Sequence, residues 1–93
     1  MTAHMVTAEL LRDDAHQVVL TVRVAEGKSE TKHEVTVSRA DLGRIARPGE
    51  EPARFVERCF AFLLEREPKE SILRTFDVSV IARYFSEFEQ EIR

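Results

Sequence analysis

The chain's 93 residues, 43% hydrophobic and 33% charged, are enough for one domain with a single core and include no stretch whose low hydrophobicity and high net charge would predict disorder. Fourteen Lys and Arg against 17 Asp and Glu, interspersed in sign, give a net charge of -3 that argues against duplex nucleic acid as a partner. The longest wholly apolar run, residues 60–64, is far short of the ~20 residues a membrane span needs, and residues 1–6 do not read as a signal peptide, so a cytoplasmic location is expected.

Residues up to 38 read as an antiparallel three-stranded meander. Val18, Leu20, Val22 and Val24 alternate, and His33, Val35 and Val37 do the same after the Gly27-Lys28 turn. Gly at the first central position of a two-residue loop suits a type II′ turn, which sets Glu26 opposite Ser29, Val22 opposite His33, Leu20 opposite Val35 and Val18 opposite Val37. In the preceding strand Val6, Ala8 and Leu10 alternate. A three-residue loop at Asp13, Asp14 and Ala15 would set Leu10 opposite Val18, Ala8 opposite Leu20 and Val6 opposite Val22. Glu9, Thr21, Arg23, Lys32, Glu34 and Thr36 then share a solvated face, on which Met5, Leu11 and Val19 are the sizeable apolar members.

From Ser38 the period becomes helical. Ser38 is a cap with Asp41 three residues on, and Leu42, Ile45 and Ala46 face inward. Pro48-Gly49 ends this short helix, and Pro52 stands where the first residue of the main helix is expected. Phe55, Val56, Cys59, Phe60, Phe62 and Leu63 form its apolar stripe, and Pro68 stops it. A turn near residues 69–73 leads to Asp77, a cap for a final helix whose stripe is Val80, Ile81, Tyr84, Phe85, Phe88 and Ile92. Ser86 would re-cap the chain if that helix divides in two. The resulting fold class is α+β in two layers: a three-stranded antiparallel meander followed by helices packed on one sheet face, as a single domain over residues 1–93.

Catalytic chemistry leaves no specific pattern: Gly27, Gly43 and Gly49 are isolated, and GxSxG, HExxH and CxxC do not occur. Cys59 is the single cysteine, which excludes an intramolecular disulfide and a multi-cysteine zinc site, and its apolar neighbours predict a buried structural thiol. His4 and His33 lean toward one end of the helix-covered face but on strands either side of the middle one, so no shared metal is expected, and neither is a cofactor. Asp13 and Asp14 read as turn residues. The densest polar stretch runs from Glu65 to Ser71 and on to Arg74 and Asp77. Its charges either hold the turn together or form a recognition surface on a Pro-anchored corner, with Pro68, Lys69, Glu70, Ser71, Arg74, Phe76, Asp77, Arg83 and Tyr84 as the candidate partner surface.

The sequence EREPKESILRTFDVSVIARYFSEFEQEI, residues 65–92, resembles the C-terminal signature of a family of small uncharacterised bacterial proteins. That signature runs as a Pro-Lys-Glu-Ser-Ile-Leu turn, then Phe-Asp, then a helix ending Arg-Tyr-Phe-Pro-Glu, with Ser86 here in place of the proline. The resemblance implies a bacterial origin and draws attention to residues 68–77 and 83–85, and it brings no activity with it. These features lead to the expectation of a non-enzymatic protein-interaction module whose partner is another protein or a second copy of the chain in a homodimer. The alternatives are a nucleic-acid-binding domain, by analogy of fold, and a small-ligand carrier or enzyme with a pocket between sheet and helices lined by Phe55, Cys59, Phe62 and Phe85.

Overall fold

The computed structural model describes residues 4–93. Its central feature is the hairpin of β2 (Gln17–Glu26) and β3 (Ser29–Ser38), paired from Glu26 opposite Ser29 through Val22 opposite His33 to Val18 opposite Val37, the register the sequence predicts. Gly27 has φ +61° and no non-Gly residue among the described residues has positive φ, so only the first central residue is left-handed, as a type II′ turn requires.

β1 (Met5–Asp13) pairs antiparallel with β2, two residues further along than expected: Leu10 lies opposite Leu20, Ala8 opposite Val22 and Val6 opposite Val24. The cause is the loop. Asp14 accepts the amides of His16 at 2.8 Å and Gln17 at 3.0 Å, so residues 14–17 form the connection instead of residues 13–15. Asp13 opposite Val18 is an odd-with-even pairing, and continued unbroken it would turn Val6, Ala8 and Leu10 to the outer face. A bulge between Leu10 and Arg12 corrects the parity. Leu10 nevertheless remains 55% exposed. Val19, assigned to the solvated face, is 1% exposed although it is not part of the core cluster.

Among the described residues the sheet has four strands in the order β1-β2-β3-β4. β4 (Thr75–Asp77) adds to the three predicted strands and runs parallel to β3, with Phe76 beside Val35. Three residues are too few to show a period, and the parallel partner is far away in sequence. α1 (Arg39–Ile45) is capped by Ser38, whose Oγ accepts the Asp41 amide at 3.0 Å. A turn follows in which Arg47 C=O accepts the Glu50 amide at 3.0 Å around Pro48 and Gly49, the latter at φ +77°, the pattern of a type II turn.

α2 (Pro52–Leu64) begins on Pro52 and buries Phe55, Val56, Cys59, Phe60, Phe62 and Leu63, as its spacing predicts. A 3-10 turn at Lys69–Ser71 leads to β4, and a second at Val78–Val80 runs into α3 (Ile81–Tyr84). The expected final helix is divided. Phe85 is extended at φ -132°, and the chain resumes as α4 (Phe88–Ile92) with no side-chain cap from Ser86. Phe62 packs nearly perpendicular to both Phe85 and Phe88, at centroid distances of 5.9 and 5.1 Å, an arrangement in which an aromatic pair gains more than its buried area alone supplies. Interrupting the helix lets two of its aromatics meet one ring.

Candidate functional site

The corner between α2 and α3 contains two different kinds of residue. Lys69, counted in the candidate partner surface, is 2% exposed. Its Nζ donates to Glu70 at 2.6 Å and to Glu26 at 3.3 Å, and the Glu70 bond holds the ammonium above its ordinary range. Ser29 Oγ donates to Glu70 at 3.5 Å and His4 Nε2 meets Glu26 at 3.0 Å. These contacts pin the 3-10 turn to the tip of the β2–β3 hairpin. Lys69 is thus removed from the contact surface, because a long apolar stem and a cation with two carboxylate partners are better satisfied under the turn than in water. Asp77 is structural in the same sense, accepting the Ser79 amide at 2.9 Å to cap the second 3-10 turn. Phe76 is 9% exposed and stacks at 6.0 Å from Phe60, with only its margin reaching the surface.

His33 locks the same corner from below. Its Nδ1 lies 2.8 Å from the Leu73 carbonyl, which can only accept, so the ring carries its proton there. Nε2, 2.9 Å from Thr31 Oγ1, then accepts from the hydroxyl. Burial, opposed by the Leu73 bond and reinforced by Arg74, lowers the pKa and keeps the ring neutral. His4 and His33 are therefore engaged separately, and no cluster of metal-ligating side chains occurs among the described residues. Cys59 is buried, and burial pushes its thiol far above the ordinary range.

The remaining side chains form an open groove of about 380 Å³ lined by Leu63, Glu67, Ser71, Ile72, Leu73, Phe76, Val80, Ile81, Tyr84 and Phe85. Leu73 is 49% and Tyr84 70% exposed at its margins, while Ile72 and Ile81 close its floor. Glu67 is its one charged lining residue, and burial raises its pKa. It has no salt-bridge partner among the described residues, whereas Glu65, Glu70, Glu87 and Glu91 each have one. Pro68, Arg74 and Arg83 are exposed neighbours in sequence of lining residues. Of the predicted surface, then, Ser71, Phe76 and Tyr84 share the groove, and Lys69 and Asp77 serve the fold.

Glu67, Leu73 and Val80 were not placed in the candidate surface, although Glu67 lay in the dense polar stretch, Val80 in the final apolar stripe, and one signal for Leu73 was present. Ile72-Leu73 are adjacent apolar residues in a polar turn, and a turn that buries one commonly exposes the other. Phe55, Cys59 and Phe62, suggested as lining an internal pocket, belong to the packed core, while Phe85 lines the groove. No family model, curated protein or solved structure matches the chain.

Proposed function

We propose that the protein is a non-catalytic interaction module of the bacterial cytoplasm, which takes into its 67–85 groove a partner-protein segment bearing apolar side chains and a lysine or arginine. The observation that carries this reading is the pairing of exposed Leu73 and Tyr84 with an unpartnered, half-buried Glu67 in one apolar groove. A carboxyl in such surroundings is poorly solvated, and a cation delivered by a partner restores the lost interaction. Tyr and Leu side chains beside a buried floor supply anchoring area, and a corner pinned by Lys69 and His33 loses little freedom on binding.

A non-catalytic role is favoured because the groups best suited to chemistry are committed elsewhere, His33 at both ring nitrogens and Cys59 inside the core. A protein partner is favoured over nucleic acid by the net charge of -3 and by an outer sheet face that mixes Arg23 and Lys32 with Glu9 and Glu34. The resemblance of residues 65–92 to the bacterial family falls on the segment that builds most of the groove.

Selection from a random peptide display library tests the reading. Enriched peptides are expected to place apolar residues beside Lys or Arg, and Glu67→Lys is expected to weaken their binding by about tenfold or more. Enrichment of acidic peptides, no enrichment, or binding indifferent to Glu67→Lys would overturn it.

A further inference from the structure

β1 forms one edge of the sheet: β2 occupies one side of it, and among the described residues no strand occupies the other. Nine residues at an edge present a row of backbone donors and acceptors to another strand. The opposite edge, β4, is only three residues long. Edges are commonly blunted by Pro, Lys, an inward-pointing charge or a bulge; the bulge of β1 comes only after Leu10, and Met5 to Leu10 contains none of these, its one charge being Glu9 on the outer face. The strand also carries three large exposed apolar side chains, Met5 at 70%, Leu10 at 55% and Leu11 at 49%. Leu10 is the telling one. It stands opposite buried Leu20 on the helix-covered face, yet remains open at the sheet margin.

We propose that this edge pairs antiparallel with β1 of a second copy about a two-fold axis at Ala8, continuing the sheet across a homodimer. The choice of a second copy comes from self-complementarity. In such a pair the inner faces stay together only when the axis passes through a residue position, so each candidate axis can be judged by what it opposes. An axis at Glu9 sets that carboxylate against its own copy, a destabilising like-charge pair. An axis at Thr7 sets Met5 against Glu9 and leaves Leu10 and Leu11 with little to meet. An axis at Leu10 runs the pairing into the bulge. With the axis at Ala8, Val6 meets Leu10, Thr7 meets Glu9 and the small Ala8 meets itself, and the bulge after Leu10 lies just beyond the paired residues. Exposed Leu10 then finds an apolar partner, and no like charges face one another within residues 6–10.

The inference does not depend on the groove, since Phe76 in the groove belongs to the far edge of the sheet and stays open in the dimer. A cysteine introduced at position 8 tests it, because the native thiol of Cys59 is buried and directly opposed antiparallel residues suit a disulfide. Under mild oxidation Ala8→Cys is expected to become a covalent dimer, while Thr7→Cys and Glu9→Cys, each displaced from its own copy along the strand, cross-link poorly. Light scattering is expected to give twice the chain mass of 10.7 kDa for the native protein and the single mass for Leu10→Lys, whose change falls on an exposed side chain. A native chain that stays at the single mass up to its solubility limit, or equal cross-linking at positions 7, 8 and 9, would overturn the proposal.

Discussion

His33 shows how much one residue decides. Its ring is 1% exposed, touches Phe60 at a centroid distance of 5.2 Å and holds the Leu73 carbonyl in place beneath the groove. Because burial lowers its pKa below the ordinary 6.5, the unfolded chain binds a proton there that the folded chain refuses. The stabilisation is therefore complete above the unfolded value and is lost as pH falls from about 6.5 toward the lowered folded value. Urea unfolding is expected to show lower stability at about pH 5 than at about pH 7.5, with a smaller difference in His33→Gln, and equal pH dependence of the two chains would contradict this. The sequence placed His33 correctly, opposite Val22 on the inner face, because strand alternation and the Gly27 turn are local signals. It did not reveal the bond to Leu73, forty residues away, since a side chain's distant partner has no periodicity to read.

Among the elements, α4 is the one least able to hold itself. Five residues are too short for an independent helix, and its position depends on what it contacts. Phe88 and Ile92 enter the core, and arginines from α1, from α2 and from the turn after α2 fasten the rest. Arg44 pairs with Glu89 at 2.6 Å, Arg66 pairs with Glu87 at 3.3 Å and Glu91 at 3.0 Å, and Arg58 donates to the Ile92 carbonyl while gripping both oxygens of Glu50 at 2.7 Å. Arg66 also lies 3.6 Å over the Phe62 ring, so the cation and its stem both serve the joint. Arg58 and Glu50 are the most sheltered of these pairs, and Arg58→Ala is expected to cost about 2 kcal/mol in urea unfolding. Arg54→Ala, which removes a 77% exposed side chain paired only with Glu57, is expected to change stability by less than about 0.5 kcal/mol. Equal losses would contradict the assignment of Arg58 as the fastening residue. Helices α1 and α2 were legible because capping and stripe agree, whereas the division of the last helix, raised at Ser86 and left open by the sequence, occurs at Phe85 without a Ser86 cap. A continuous stripe at Ile81, Tyr84, Phe85 and Phe88 is consistent with an unbroken helix, and the break brings both Phe85 and Phe88 nearly perpendicular to the one Phe62 ring.

For the molecule as a whole, the four-stranded order separates two surfaces. β1 offers an open backbone edge on one side, and the chain returning after α2 builds the groove beside β4 on the other. The 68–77 corner was visible in the sequence as a site of interest, but its division of labour was not. The cap at Asp77 was legible, but Lys69 looks like a surface charge until Glu70 is brought beside it, and Glu67 looks like one more acidic residue until burial without a salt-bridge partner sets it apart. Backbone amide NMR of the protein titrated with a peptide recovered from the display selection tests the groove most directly. The account predicts that the largest shifts fall on Glu67, Leu73, Phe76, Tyr84 and Phe85 and are lost in Glu67→Lys. Shifts concentrated on β1 or on the outer sheet face around Arg23 and Lys32, with the groove unmoved, would contradict it.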